Sequence, residues 1–221
     1  MFANLIFDWS GTLVDDLGPV LEATNAVLDI YGLAALDREG FRRRFRLPYQ
    51  EFYSEVLPAV PLVELEGHFR RAFAAAASPV TVLPHAREKL EWCARHGLRA
   101  FVLTSMDSQA FDLQLDAFGW RQHFEATYAG VLDKRQVIHR ILATHQLAPD
   151  ATAFIGDMTH DVETARHGGI SSIAVLTGYN HPEVLAAARP DLTVADLGAL
   201  RELFDKQRGA TSALYPSHIP A

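Results

Sequence analysis

The sequence predicts an α/β protein: a doubly wound parallel sheet with a Rossmann-like core and an inserted helical cap lobe. One observation is the regular alternation of short apolar strand patterns with amphipathic helix patterns after residue 85. Another is that polar residues lie at the carboxyl ends of three of the strands, where parallel sheets bind their ligands. A third is the segment 16–84, in which the periodicity is helical.

Each strand is predicted from a short apolar run rich in β-branched and aromatic residues. The runs are Asn4–Trp9, Arg99–Thr104, Glu125–Ala129, Thr152–Gly156, Ser172–Leu176 and the weaker Asp191–Val194. The helices between them carry apolar residues at three- and four-residue spacing. They are predicted at Glu88–His96, Ser108–Phe118, Lys134–His145 and Val162–His167. This alternation predicts one parallel sheet covered by helices.

The segment 16–84 is predicted to form a separate lobe, called the cap below, that contains helices and no convincing strand. Its helical patterns are Val20–Tyr31, Glu39–Phe45, Gln50–Leu57 and Glu64–Ala77. Glycine and proline interrupt the chain at both ends of the segment, as in linkers between lobes. We therefore divide the chain into a core of residues 1–15 and 85–206, the cap, and a tail of residues 207–221.

Composition and charge exclude several classes of protein. Hydrophobic residues make up 49% of the chain and charged residues 21%, which is ordinary for a folded soluble protein. The formal net charge of −7 provides no basic face, so nucleic acid is not expected as a partner. No apolar run approaches the ~18 residues of a membrane span, and no signal-like segment precedes Asp8. The single cysteine, Cys93, cannot form a disulfide within the chain, which fits a reducing compartment, so we expect a cytoplasmic protein. We expect it to be a monomer or a homodimer.

Acidic residues end two of the predicted strands. Asp8 lies at the end of the first strand, just before a Gly-Thr turn, while Asp157 follows Thr152–Gly156 and has a second acid, Asp161, four residues later. Because parallel strands end at the same edge of the sheet, these acids predict a magnesium-dependent phosphoryl-transfer site. Taken singly, each acid is also typical of a turn or a helix cap.

Four motifs, in this order, resemble those of the haloacid dehalogenase superfamily of hydrolases. They are Phe7-Asp8-Trp9-Ser10-Gly11-Thr12-Leu13, Val102-Leu103-Thr104-Ser105, Lys134 and Gly156-Asp157-Met158-Thr159-His160-Asp161. The resemblance covers the core from Asn4 to about Asp196. Within the superfamily the chain is most similar to the phosphoglycolate phosphatase-like set, which has its cap at the same position.

The resemblance implies a role for the residues of these motifs. Asp8 would attack phosphorus and form an aspartyl-phosphate, which divides one difficult displacement into two easier ones. Thr104 would hydrogen-bond the transferring phosphoryl group, and Lys134 would neutralise its charge. Mg²⁺ is the expected cofactor. The residues expected to hold it are Asp8, Ser10 through its backbone carbonyl and Asp157, with Asp161 behind these ligands.

Ser10 departs from the family pattern. Most phosphatases of the family have Asp two residues after the nucleophile, where it protonates the leaving oxygen and later activates water. A serine hydroxyl is far too weak an acid, and loss of a positioned general acid costs about 10²- to 10⁴-fold in rate. Three explanations stay open: a leaving group that needs no proton, a proton from another residue, or an enzyme that is slow or inactive. The candidate donors are His160, Asp15 and Asp16.

The function predicted from the sequence is a Mg²⁺-dependent phosphatase that acts on a small phosphorylated metabolite. Phosphoglycolate is the substrate by analogy only. The cap would close over the site and select the substrate. Expected substrate contacts are Trp9, Gly11, Thr12, Ser105, Arg42 and Arg46, of which the two arginines belong to a cluster that is also typical of a solvated basic helix face.

Two alternatives stay open. One is a phosphonatase-like hydrolase or a phosphotransferase that favours good leaving groups. Phosphonatases of the family form a Schiff base with a cap lysine, and this chain has no lysine before Lys89. The other is a non-catalytic protein that binds phosphate and metal and has lost turnover.

Overall fold

The computed structural model describes residues 2–214, and the side chains of residues 2–208. Strands in this part of the chain are β1 (Asn4–Phe7), β2 (Val14–Asp15), β3 (Thr81–Val82), β4 (Arg99–Leu103), β5 (Ala126–Tyr128), β6 (Thr152–Gly156), β7 (Ser171–Val175) and β8 (Leu192–Val194). The helices are α1 (Leu17–Ile30), α2 (Arg38–Arg44), α3 (Tyr49–Val56), α4 (Leu62–Ala74), α5 (Ala86–Arg95), α6 (Ser108–Ala117), α7 (Ile138–Thr144), α8 (Thr159–Gly168), α9 (Pro182–Ala187) and α10 (Leu197–Leu214). Short 3₁₀ turns lie at Arg121–His123, Lys134–Gln136 and Pro149–Ala151.

Six of the strands form one parallel sheet in the order β5-β4-β1-β6-β7-β8. Phe7 on β1 pairs with Val102 on β4 and with Ile155 on β6, so these three strands end at the same level. The chain leaves β1 towards β4 on one side and later adds β6 on the other. A crevice forms where the strand order reverses in this way, and it is the usual ligand site of open α/β sheets. The predicted doubly wound parallel sheet is confirmed.

Both faces of the sheet are buried. Along β1, Leu5 and Phe7 belong to one apolar cluster with helices α5, α6 and α10, whereas Ile6 belongs to a second cluster with α7 and α8. Successive side chains of a strand point to opposite faces. Because helices cover both faces, the strands are continuously apolar instead of alternating with polar residues, which is why their sequence signal is clear.

The cap has its own apolar core, in which α1 and α4 pack together. Its four helices lie where the periodicity predicts them, within a few residues at each end. The expectation of helices alone is wrong at β3, which pairs with β2 through Val14–Val82 and Asp15–Thr81. Strands of two residues carry no readable periodicity. This small antiparallel pair joins the two connections between cap and core, and the division of the chain at residues 15/16 and 84/85 stays a prediction.

The last part of the described chain is more helical than expected. Helices α9 and α10 were not predicted, and α10 continues to Leu214, so the first residues of the expected tail are helical. Leu197, Leu200 and Phe204 anchor α10 in the core beside α5. The remainder of the expected tail, 215–221, lies outside the described residues. Among the described helices, none combines the length and the apolar character that a membrane span requires.

Candidate active site

Asp8 lies at the carboxyl end of β1, in the crevice of the sheet. Its backbone N–H donates to the Ile155 carbonyl at 2.8 Å, and the residue is 3% exposed. Oδ1 of Asp8 accepts a hydrogen bond from the Trp9 backbone N–H at 2.7 Å and faces Lys134 Nζ at 2.9 Å. The carboxylate is therefore held in one orientation, with its other oxygen available to the cavity.

The loop after Asp8 holds a second acid, Asp157, which follows β6. Thr12 Oγ1 donates to Asp157 Oδ1 at 2.8 Å, and the Tyr179 backbone N–H donates to Oδ2 at 2.7 Å. Gly11 has a φ of +74°, and a Cβ atom there would lie 2.4 Å from Asp157 Oδ2. A side chain on Gly178 would also collide with this carboxylate. The loops after β1 and β7 thus approach Asp157 so closely that both positions require glycine.

Lys134 joins the acids of the site. Its Nζ is fully buried and lies 2.9 Å from Asp8 Oδ1 and 2.7 Å from Asp161 Oδ1. Asp161 also accepts the Met158 backbone N–H at 3.0 Å, which caps the start of α8. The position of Lys134 is fixed further by its backbone N–H, which donates to His160 Nε2 at 3.1 Å.

The electrostatics of this cluster are dominated by burial. Burial raises the pKa of Asp8 to about 6 although Lys134 opposes the shift, and burial together with the charges of Asp8 and Asp161 raises the pKa of Asp157 well above its ordinary value. Burial alone would lower the pKa of Lys134, but attraction to Asp161 and Asp8 raises it. Oxygen atoms of the three carboxylates come within 4.8 Å of one another. One ammonium cannot neutralise three buried carboxylates, so the donor set fits a divalent cation that prefers oxygen ligands.

Ser10 is bonded to an acid that the sequence motifs do not contain. Ser10 Oγ donates to Asp16 Oδ2 at 2.6 Å, and Tyr179 OH donates to Asp16 Oδ1 at 2.8 Å. Burial raises the pKa of Asp16 to about 6, against the opposing effect of these two hydrogen bonds. Ser10 and Asp16 both line the same cavity as Asp8. Asp15, by contrast, accepts the Leu17 backbone N–H at 3.3 Å and is not among the cavity residues.

Thr104 and Ser105 follow β4 and line the cavity beside Asp8. Thr104 is 1% exposed, and its Oγ1 accepts a hydrogen bond from the Met106 backbone N–H at 3.2 Å. The strand end therefore presents a hydroxyl of fixed orientation. Its bond to a phosphoryl group stays a prediction.

Three expected substrate contacts lie elsewhere in the loop that follows β1. The Trp9 side chain is fully buried, lies edge-on to Phe111 with ring centroids 4.8 Å apart, and donates from Nε1 to Gln114 at 2.7 Å. This side chain is part of the core and does not line the cavity, so the structure gives no support to a contact between the ring and substrate. Gly11 and Thr12 do not line the cavity: Thr12 bonds the carboxylate of Asp157, and Gly11 leaves room for it. Their contact with substrate stays a prediction.

The two predicted cap arginines are also used structurally. Arg42 Nε donates to the Gly178 carbonyl at 2.8 Å, and Arg42 Nη2 donates to the Asn180 carbonyl at 3.0 Å. Arg46 forms an ion pair with Glu55 on the surface. Neither lines the cavity, and their expected contact with substrate stays a prediction. Arg42 instead fixes the loop that carries Tyr179, because both of its carbonyl partners belong to that loop.

His160 does not supply the missing acid. It is 1% exposed, lies outside the cavity lining and accepts the Lys134 backbone N–H. Burial, followed by the neighbouring charges of Lys134 and Arg135, lowers the pKa of His160 to about 4. Because Nε2 accepts the bond from Lys134, the neutral imidazole carries its proton on Nδ1; the ring positions Lys134 and does not line the cavity.

The residues that sequence reasoning missed belong mainly to the loop after β7. Tyr179 contacts both Asp16 and Asp157, and Asn180 accepts the Thr159 backbone N–H at 2.8 Å. The signal was present, because Tyr179 and Asn180 follow a predicted strand at the same edge of the sheet as Asp8. None of the four sequence motifs lies in the loop after β7, so these two residues were not predicted.

Fold and site together define a class of protein: an α/β enzyme with carboxylates and a lysine at the switch point of a parallel sheet, beneath a helical cap. The sequence profile of haloacid dehalogenase-like hydrolases matches residues 5–175, and the chain belongs to that family. The resemblance on which the sequence prediction rests is thereby confirmed, as is the prediction of a hydrolase.

Known proteins similar to the chain cover most of its length. A phosphoglycolate phosphatase from Synechococcus elongatus is 28% identical over 201 residues, which is 85% of this chain and 90% of that protein. A 5′-nucleotidase from Pseudomonas aeruginosa is 26% identical and covers 92% of this chain and 96% of its own. Among solved structures, a haloacid dehalogenase-like hydrolase from Streptococcus pneumoniae superposes with a TM-score of 0.79 at 23% identity, covering 92% of this chain and 98% of its own. At that identity the likeness shows the fold.

Proposed function

We propose that the chain is a magnesium-dependent phosphatase that hydrolyses a small phosphorylated metabolite through an aspartyl-phosphate at Asp8. The observation that carries the proposal is the buried cluster of Asp8, Asp157 and Asp161 around the Nζ of Lys134. Relatives named as phosphoglycolate phosphatase and 5′-nucleotidase support phosphate-ester hydrolysis as the reaction.

Mg²⁺ would be held by Asp8, the backbone carbonyl of Ser10 and Asp157, with Asp161 behind them on Lys134. When bound, the ion polarises the phosphoryl oxygens and offsets the charge that develops on them. The chain's own residues prepare this site: Thr12 Oγ1 and the Tyr179 backbone N–H fix the carboxylate of Asp157, and Gly11 leaves room for it.

The carboxylate of Asp8 attacks phosphorus, and the bond from phosphorus to the leaving oxygen breaks as the bond to Asp8 forms. Lys134, already paired with Asp8 Oδ1, stabilises negative charge at the reacting group, and the Thr104 hydroxyl orients it. Positioning and charge neutralisation account for most of phosphoryl-transfer catalysis, and these residues supply both.

The leaving oxygen receives its proton from the Ser10–Asp16 pair. With Asp16 protonated, Ser10 Oγ passes a proton to the leaving oxygen and recovers one from Asp16, which ends as a carboxylate. In the second step Asp16 takes a proton from the water that attacks phosphorus, the bond to Asp8 breaks, and phosphate is released. A carboxyl with a pKa of about 6 serves both steps near neutral pH, since it can be either protonated or ionised there.

The test is hydrolysis by purified protein, with and without Mg²⁺, of acetyl phosphate, p-nitrophenyl phosphate, phosphoglycolate and sugar phosphates. Asp8→Asn removes the nucleophile, and Asp150→Asn, at an exposed position outside the cavity lining, is the matched control. We expect Mg²⁺-dependent turnover that Asp8→Asn abolishes and Asp150→Asn leaves unchanged. If no substrate reacts while Mg²⁺ and inorganic phosphate still bind, the non-catalytic alternative replaces the proposal.

A further inference from the structure

The cavity that starts at Asp8 extends under the cap, and its walls change from polar to aromatic along its length. It has a volume of about 590 Å³. At the sheet end its walls are polar, with Asp8, Ser10, Thr104 and Ser105. Under the cap its walls are aromatic. The rings are those of Phe45, Tyr49, Tyr53, Phe69 and Phe73.

The aromatic walls are part of the cavity and not only of the cap's core. Phe52, the ring of α3 that packs wholly inside the cap, is fully buried. Tyr49, Phe69 and Phe73 are only partly buried and line the cavity. On α4, Phe69 and Phe73 follow Glu66 by three and seven residues, so all three lie on the helix face that looks into the cavity. The two phenyl rings are stacked at 21°, with centroids 5.9 Å apart.

The charges along the cavity do not favour a substrate with a second anionic group. Away from Asp8 the lining contains three acids, Asp16, Glu66 and Asp107. Arg70 is the single basic residue among the described residues of the lining, and it is exposed at the surface. The carboxylate of Glu66 accepts a hydrogen bond from Tyr49 OH at 2.5 Å, so the polar group among the rings is itself anionic.

We propose that the preferred substrate is a phosphate monoester whose alcohol carries an uncharged aromatic ring, seated between α4 and the rings of Phe45 and Tyr49. The inference rests on the proposed phosphatase function and adds the substrate class. Cavities of about 300–1,000 Å³ with mostly apolar walls take ligands much larger than a two-carbon acid. Aromatic rings pack on one another edge-on or offset, which the partly exposed rings of the lining allow.

Two substrates of equal leaving-group acidity isolate the ring: 3-phenylpropyl phosphate and propyl phosphate. We expect kcat/KM to be about tenfold to a hundredfold higher for the phenyl compound, because burial of a ring of this size strengthens binding by that factor. Phosphoglycolate should have a lower kcat/KM than 3-phenylpropyl phosphate. Phe73→Ala should remove most of the preference, and Phe73→Leu should retain part of it. Val63→Ala, at an exposed position of the same helix, is the matched control.

Binding is measured separately with two compounds that the enzyme cannot hydrolyse, 3-phenylpropylphosphonate and propylphosphonate. Equal affinities and equal kcat/KM values, with acetyl phosphate still hydrolysed, would overturn the aromatic preference and leave the phosphatase proposal intact. Tighter binding of the phenyl phosphonate with no turnover of any ester would overturn the phosphatase and uphold the ring pocket. Faster hydrolysis of phosphoglycolate than of the phenyl ester would overturn the inference directly.

Discussion

Ser10 Oγ lies 2.6 Å from Asp16 Oδ2, and both side chains face the cavity that contains Asp8. Ser10, two positions after the nucleophile, therefore has a carboxyl as its direct partner. It is hydrogen-bonded to a buried carboxyl that a second hydroxyl, of Tyr179, holds from the other side. Most phosphatases of the family have an acid two residues after the nucleophile. Here that residue is Ser10, and the acid beside it is Asp16, eight residues after Asp8.

Asp16→Asn should slow hydrolysis of esters with poor leaving groups by about 10²- to 10⁴-fold, the usual loss when a positioned general acid is removed. Acetyl phosphate, whose leaving group needs no proton, should react nearly as fast in its first step as with the wild type. Single-turnover rates for an alkyl phosphate and for acetyl phosphate measure the difference. Asp15→Asn is the control, because that neighbouring carboxyl lies outside the cavity lining. An equal loss on both substrates would show that Asp16 only supports the loop.

The strand-end acids were predictable from the sequence, whereas the direction of individual side chains was not. Asp8 and Asp157 end buried neighbouring strands, and the geometry of parallel sheets alone brings them together. Trp9 follows Asp8 in the chain and points into the core, which a motif does not reveal. Asp15 and Asp16 are adjacent residues of the same type, so the sequence does not distinguish them as partners of Ser10. Only the path of the chain into α1 decides that Asp16, and not Asp15, meets Ser10.

The elements that escaped prediction have physical reasons as well. A two-residue strand such as β3 is defined by its partner β2 and has no periodicity of its own. Arg42 satisfies backbone carbonyls of a loop more than 130 residues away, and no local pattern indicates such a bond. The long parallel strands were predictable because helices bury both of their faces.

Gly11→Ala should abolish most activity and destabilise the fold by about 1–3 kcal/mol, because the new methyl group meets Asp157 and the residue keeps a positive φ. Gly119→Ala separates the two effects. Its φ is +66° and a Cβ atom there has no neighbour within 4 Å among the described residues, so it should show the backbone strain alone. Urea unfolding and kcat of the two variants are compared. Equal destabilisation and retained activity in both would contradict the close packing of the two strand ends.

Mg²⁺ should stabilise the protein more at about pH 8 than at about pH 5, because metal ligands must be ionised. Burial raises the pKa of Asp8 to about 6 and that of Asp157 well above its ordinary value. An acid with a raised folded-state pKa stabilises the fold while protonated, and this stability is lost as the pH rises through that pKa. Bound Mg²⁺ would offset this loss and raise the free energy of unfolding by about 2.7 kcal/mol when its concentration is a hundred times its Kd.

The measurement for Mg²⁺ is the Tm at several pH values with and without the ion. Asp157→Asn should remove most of the Mg²⁺-dependent increase at high pH, and Asp150→Asn should leave it unchanged. A Tm increase that does not depend on pH, or that persists in Asp157→Asn, would contradict metal binding by these carboxylates.

Lys89 provides a prediction about stability that is independent of the active site. Its side chain is fully buried between α5 and α10, with Nζ 4.4 Å from the ring centroid of Trp92 and 3.9 Å from that of Phe204. Burial lowers the pKa of Lys89 to about 8, against the weaker opposing effects of Cys93 and Asp205. A base with a lowered folded-state pKa destabilises the fold while the unfolded chain is protonated, so the free energy of unfolding should rise between about pH 8 and 10.

Lys89→Met keeps the length and apolar stem of the side chain and removes the titrating group. We expect the variant to lose this rise and to be more stable than the wild type at neutral pH, by about 1 kcal/mol, because no charge is then buried among the rings. Urea unfolding of both proteins at a series of pH values provides the two curves. Arg95→Met, on the exposed side of the same helix, is the control and should follow the wild-type slope. A variant that is less stable than the wild type at neutral pH would show that attraction between the ammonium and the two rings outweighs the cost of its burial.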